Sequence, residues 1–303
     1  MDSERRMVFE RRMDSERRVI GERPPLQQPW LRAWQPLLTQ LGPLDGDWLT
    51  RANELALTRS ICVGNDTKLR FVDAATLAVA TYDLQIVQYG QVPSRLKPAP
   101  AACHDYFNAL VWLGLPLAKA AIHTLQAQAI ASDGISGRRG AQRDALTVFD
   151  ENGLLLLCSE PSIATALKRF AWNELFVEQR ANFVGNSACI LFGHALMQKL
   201  EAPYKAICAH TWIVEVDQSV VDTLNVHGDR SSDRSGGSGG AAFAAIDAIL
   251  AQAISERQVT AASLTPLPVL GIPGWWSANQ APTFYNDATV FRTARKVRPA
   301  RRV

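Results

Sequence analysis

The chain has 303 residues, 47% hydrophobic and 20% charged, the proportions of an ordinary globular protein long enough to build a sizeable core. Its longest apolar stretch, Ala109 to Ala118, contains Pro116 and ends at Lys119, well short of the roughly 20 residues a membrane-spanning helix needs. The net charge of +3 hides an uneven distribution: six basic residues and no acid lie between Arg292 and Val303, so the remainder carries −3. Nucleic acid is therefore expected to make no more than weak, salt-sensitive contacts with that tail.

The opening residues contain MDSERR at Met1 and again at Met13, alternate acid with base, and show neither an apolar face nor the apolar centre of a secretory signal. Residues 1–29 are expected to be a disordered extension, and residues 293–303 a disordered basic tail. The five cysteines (Cys62, Cys103, Cys158, Cys189, Cys208) are scattered and form no CxxC pair, which fits a reduced compartment and a cytoplasmic location.

Trp30 to Leu41 predicts one or two short helices interrupted at Pro36. Asp47 to Ser60 predicts a helix capped by Asp47, with Leu49, Ala52, Leu55 and Ala56 on one face. Leu69–Ala74 and Tyr82–Gly90 read as extended. His104 to Leu113 is helical by pattern, and Pro116 opens a second helix that runs to about Ala131. Ala145 to Cys158 places two apolar runs around Glu151-Asn152-Gly153, which predicts a buried hairpin.

Pro161 to Phe183 predicts one long amphipathic helix, Ser187 to Leu200 another, and Ile207 to Val216 a strand. Residues 231–240 have linker composition. Beyond them Phe243, Ile246, Ile249, Leu250 and Ile254 mark a helix face. Pro266 to Arg292, rich in Pro, Gly and aromatic residues, is expected to wrap the surface as an ordered extended segment. No βαβ repeat is visible. The expected fold is α+β, with mixed helices and a small, mainly antiparallel sheet, in a single domain over residues 30–292 with a flexible loop at 231–240.

Four stretches, His104–His123, Arg138–Gly153, Leu191–Leu200 and Pro266–Arg292, together with a weaker fifth at Tyr82–Arg95, resemble a proteobacterial family, domain of unknown function 3025. The resemblance implies a bacterial protein of about this size. It brings no activity, cofactor or catalytic residue with it.

Several side chains could carry chemistry. His104 and Asn108 are four apart on the predicted helix and share a face, with Asp105 beside them in the expected first turn. Such a His-Asp pair can serve a metal or act as a general base, with His194, His210, Asp144 and Asp287 as the further ligands on offer. The competing reading is a capped helix start.

Arg138, Arg139, Arg143 and Asp144 precede the predicted hairpin. Guanidinium groups there could hold a phosphate or carboxylate, or pair with neighbouring acids. Gly193 before His194 would allow a backbone or ligand to approach closely. Trp275, Trp276 and Asn279 could stack on and bind a flat ligand, or anchor their segment to the core.

The sequence lacks a phosphate loop, GxGxxG and HExxH. The expected function is a hydrolase or transferase acting on a small anionic substrate. In it His104, Asp105, Asp144 and His194 would be catalytic, and Asn108, Arg139, Arg143, Trp275 and Asn279 would bind substrate. The metal, other cofactors and the oligomeric state are left open. The alternative is a non-catalytic binding or assembly protein that uses residues 266–292 as its contact surface.

Overall fold

Four strands form the centre of the structure, a computed structural model that describes residues 28–64, 67–77, 82–133, 140–229 and 238–293. The expected N-terminal extension, basic tail and Gly/Ser loop fall almost wholly outside the described residues, as does Arg139.

The chain enters through a 3-10 helix, Pro29–Trp34, which leads directly into α1 (Gln35–Leu41). Pro36 sits in the first turn of α1, where its missing N–H costs nothing. The indole of Trp34 donates to the Leu191 carbonyl at 2.9 Å, tying this entry segment to the central sheet. α2 (Trp48–Thr58) follows. Asp47 stands at its N-cap position, but its side chain makes no capping bond.

A minimal hairpin, β1 (Cys62–Val63) and β2 (Thr67–Lys68), precedes β3 (Arg70–Asp73). Tyr82–Tyr89 is helix α3, not the extended segment expected from its β-favouring residues. Asp83 and Ile86 face inward at helical spacing, and tertiary packing overrides the local propensity. The strand comes after Gly90, which has φ 65°, as β4 (Gln91–Ser94), parallel to β3.

α4 (Ala99–Gly114) and α5 (Pro116–Asp133) are the two central helices. α6 (Ala141–Asn152) replaces the first arm of the expected hairpin. Ala145, Leu146, Phe149 and Asp150 are buried, a helical rather than alternating pattern. Asn152-Gly153 is thus the exit from a helix into β5 (Gly153–Cys158), all of whose residues are buried.

The expected long helix from Pro161 is broken. α7 (Pro161–Lys168) ends before Phe170, which has φ 56°. A π-helical turn at Glu174–Glu178 then leads to α8 (Arg180–Asn186). The helix expected over Ser187–Leu200 is instead β6 (Ser187–Leu191) followed by α9 (His194–Lys199).

β7 (Cys208–Glu215) lies where the sequence places a strand, followed by α10 (Gln218–Asp229), α11 (Ser238–Ser255) and β8 (Leu264–Pro268). The central sheet runs β6-β5-β7-β8. β5 pairs antiparallel with β6 and parallel with β7, and β7 pairs antiparallel with β8. The α+β class and the mainly antiparallel sheet are as expected. No helix among the described residues is long and apolar enough to cross a membrane.

Candidate metal centre and its polar surroundings

α4, α5, α6 and α9 meet near the start of β5, with α3 packed on α5. Each contributes polar side chains that its burial would otherwise forbid. His104 and Asn108 lie one turn apart on α4, and Lys119 and His123 one turn apart on α5, so each pair shares a face. α6 ends with Asp150 and Glu151. α9 begins with His194, and its approach depends on Gly193: a Cβ there would lie 2.4 Å from the Gly153 nitrogen and 2.5 Å from the Glu151 carbonyl oxygen. With no side chain, Gly193 donates its N–H to the Gly153 carbonyl at 2.8 Å, which sets His194 beside Glu151.

His104 Nε2 and His194 Nε2 lie 3.4 and 3.5 Å from the same oxygen, Glu151 Oε2. The two imidazoles meet edge to face with ring centroids 4.4 Å apart. One ligand atom from each of His104, Glu151 and His194 falls within a 4.8 Å cluster. The side chains of His104 and Glu151 are 24% and 37% exposed while that of His194 is 5% exposed, so the cluster has a wall and an opening.

The outer nitrogen of His104 is also fixed. Nδ1 donates to Asp105 Oδ1 at 2.8 Å. Arg95 Nη2 lies 3.2 Å from the same nitrogen, but two donors cannot bond each other, so the carboxylate is the partner. Asp105 is in turn gripped by Arg95 through its backbone N–H, Nε and Nη2 at 2.7, 2.8 and 2.7 Å. The helix begins at Ala99, so Asp105 lies beyond the first turn, and Arg95 replaces the helix end as its partner.

Burial would raise the Asp105 carboxyl, but these bonds outweigh it and hold it down at about 2. Burial likewise opposes charge on His104, yet the bonds to Asp105 and Glu151 prevail and hold it up at about 9. The bond to His104 also lowers the Glu151 carboxyl. Burial takes His194 down to about 4, leaving a neutral imidazole. The proton on His104 is the cation that these carboxylates select, and a divalent metal would compete for the same Nε2.

Behind the opening, Lys119 is wholly buried. Its Nζ bonds Asp150 Oδ1 at 2.5 Å and Asn108 Oδ1 at 2.8 Å. Asn108 Nδ2 donates to the Tyr82 hydroxyl at 2.8 Å. Burial would raise Asp150, but the Lys119 ammonium beside it prevails and holds it at about 2. His123 Nδ1 meets Asp83 Oδ1 at 2.8 Å and its ring stacks on Trp112. His123 Nε2 and His194 Nδ1 are buried without a hydrogen-bond partner.

Of the residues singled out from sequence, His104, Asp105, Asn108 and His194 come together. Asp144 does not: it is exposed in the first turn of α6, and the carboxylates that reach the centre are Asp150 and Glu151 at the other end of that helix. Arg143 is half-buried with an unpartnered Nε and makes no bond to the cluster. Asn279 is fully buried and holds the C-terminal segment, donating to the Leu270 and Ile272 carbonyls and accepting from Arg180. Trp275 is 9% exposed and belongs to the core.

Sequence reasoning missed Tyr82, Asp83, Arg95, Lys119, His123, Asp150 and Glu151. The four-residue spacing of Lys119 and His123, matched to His104 and Asn108 on the neighbouring helix, was the available signal.

Fold and centre together define an α+β protein whose polar site is gathered from several helices at one end of a small sheet. Residues 69–295 match the family described as protein of unknown function DUF3025, and the chain belongs to that family. The site residues all fall within the match, whereas α1 and α2 precede it. No curated protein and no solved structure matches the chain.

Proposed function

We propose that the protein is a metal-dependent enzyme that hydrolyses or transfers a group of a small anionic substrate, with His104, Glu151 and His194 as the metal ligands. The observation that carries this reading is the convergence of two imidazole Nε2 atoms on one carboxylate oxygen, from three separate elements, at a partly open position. Two histidines and a glutamate form a known catalytic zinc set, which keeps a coordination position for water or substrate. The Asp105 bond to the outer nitrogen of His104 is the support that ligating histidines receive.

A metal held there would supply Lewis acidity and lower the pKa of a bound water. The chain's own residues do the rest. Asp105 and Arg95 fix the ring of His104, and Gly193 fixes the approach of His194. Arg95 is half-exposed and its Nη1 has no hydrogen-bond partner among the described residues, so it offers a donor to an anion arriving beside His104.

The test is metal loading of the full chain. Zn2+ or Co2+ should bind at one equivalent, Co2+ with visible absorption, and His104→Ala and His194→Ala should each abolish binding. Hydrolysis of phosphate and carboxylate esters should require the metal. Folded protein that binds neither ion would refute the reading.

A further inference from the structure

We propose that the Tyr82 hydroxyl is a hydrogen-bond donor to the substrate at this centre, and that the substrate presents an oxyanion to it. The inference deepens the metal-centre reading and rests on it. Tyr82 opens α3, and as a whole residue it is 37% exposed.

Three buried groups fix which way its hydroxyl can act. Lysine has only donors, so the atom of Asn108 that meets Lys119 Nζ must be the amide oxygen. The Asn108 amide nitrogen therefore faces Tyr82 and donates, so the phenol oxygen accepts. The phenolic O–H is then free to donate, and among the described residues it has no acceptor. Lys119, held on its other side by the buried Asp150 carboxylate, thus donates to Asn108, which donates to Tyr82, and the run ends in an unused donor.

The position of that donor is fixed as well. Asn108 is one turn from His104 on α4, and Asp150, the other partner of Lys119, adjoins Glu151 on α6, so the groups behind Tyr82 are neighbours of the proposed ligands. Asp83, next along α3, is held by His123, whose ring also meets the Tyr82 ring edge-on at 5.6 Å. Burial and the nearby carboxylates of Asp150 and Asp105 keep the phenol protonated. A developing negative charge beside the centre is what an unspent, preorganised O–H stabilises.

The experiment loads the full chain with Co2+ and titrates inorganic phosphate, following the visible spectrum, for wild type and Tyr82→Phe. The substitution keeps the ring and removes only the hydroxyl. Cobalt affinity should stay within about twofold, while phosphate should bind tenfold or more weakly, as expected for a lost hydrogen bond to a charged group. Equal phosphate affinity in the two proteins would overturn the proposal, as would wild-type cobalt protein that ignores phosphate. Parallel loss of cobalt and phosphate would show a structural role and overturn it too. Failure of wild type to take up cobalt would be separate, because it removes the metal centre itself.

Discussion

Lys119 shows most clearly what the centre asks of single residues. A lysine amine with no exposed surface is costly unless it is paired, and here Asp150 and Asn108 supply its partners. Lys119→Met should therefore destabilise the protein by about 3–5 kcal/mol, because it leaves the Asp150 carboxylate buried and uncompensated. The double variant Lys119→Met/Asp150→Asn should recover part of that loss. Denaturant unfolding of the four proteins in the cycle checks this, and purely additive effects would show that the two side chains do not support each other.

The same cluster shows what a sequence discloses at this scale. His104, Asp105, Asn108 and His194 could be picked out because histidines near acids or glycines are noticed. Glu151 and Asp150 were hidden by Asn152-Gly153, whose composition suits a hairpin turn as well as a helix exit. Lys119 read as the end of an apolar stretch.

Among the elements, α9 has the most demanding approach. Gly193 has φ −67°, an ordinary value, so its requirement is space and not backbone freedom. Gly193→Ala would drive a methyl into the backbone at Asn152 and Gly153, and no flexible side chain there can yield. The expected cost is about 1–3 kcal/mol of stability, with cobalt affinity at least tenfold weaker as His194 moves off Glu151. Calorimetric titration together with a melting curve checks both, and an alanine variant that binds cobalt like wild type would contradict this role.

α5 has a different support. Its first turn is capped from α11 by Asp247, which accepts the N–H groups of Leu117 and Ala118 at 2.8 Å each. Burial raises the Asp247 carboxyl to about 6, against the pull of those two bonds, from an ordinary value of 3.8. The folded state therefore keeps this proton to higher pH than the unfolded chain does. The resulting stabilisation is complete below about pH 3.8 and is lost as the pH rises through about 6. The difference in melting temperature between wild type and Asp247→Asn should change across that interval, and a flat difference would show that the group titrates alike in both states.

Three of the misread elements share one physical cause. Tyr82–Tyr89, Ala145–Phe149 and Ser187–Leu191 are short segments containing apolar runs, and periodicity alone does not separate a buried strand from a buried helix there. Partners decided each case: α3 is pinned to α5 by Asp83 and His123, and β6 pairs with β5.

Across the whole molecule, the long-range features were the least legible. α+β character, the strand at Ile207–Val216, and the paired helices α4 and α5 follow from local pattern and from Pro116. The strand order β6-β5-β7-β8 and the Trp34 bond to Leu191 join residues far apart in the chain, and nothing in either segment names its partner. The same distance effect builds the centre, since its three proposed ligands come from positions 104, 151 and 194. The segment 266–292, expected to wrap the surface in extended form, instead forms 3-10 turns at Val269–Gly271, Ser277–Gln280 and Pro282–Asn286 after β8, with the Trp275, Asn279, Phe284 and Tyr285 side chains turned into the core.

The most direct measurement is the metal stoichiometry of the purified full chain after equilibration with Zn2+ and removal of excess, in parallel with His104→Ala, Glu151→Gln and His194→Ala. One tightly held equivalent in wild type, lost in both histidine variants and weakened in Glu151→Gln, is expected. Folded wild type that retains no zinc, or histidine variants that retain as much as wild type, would contradict it.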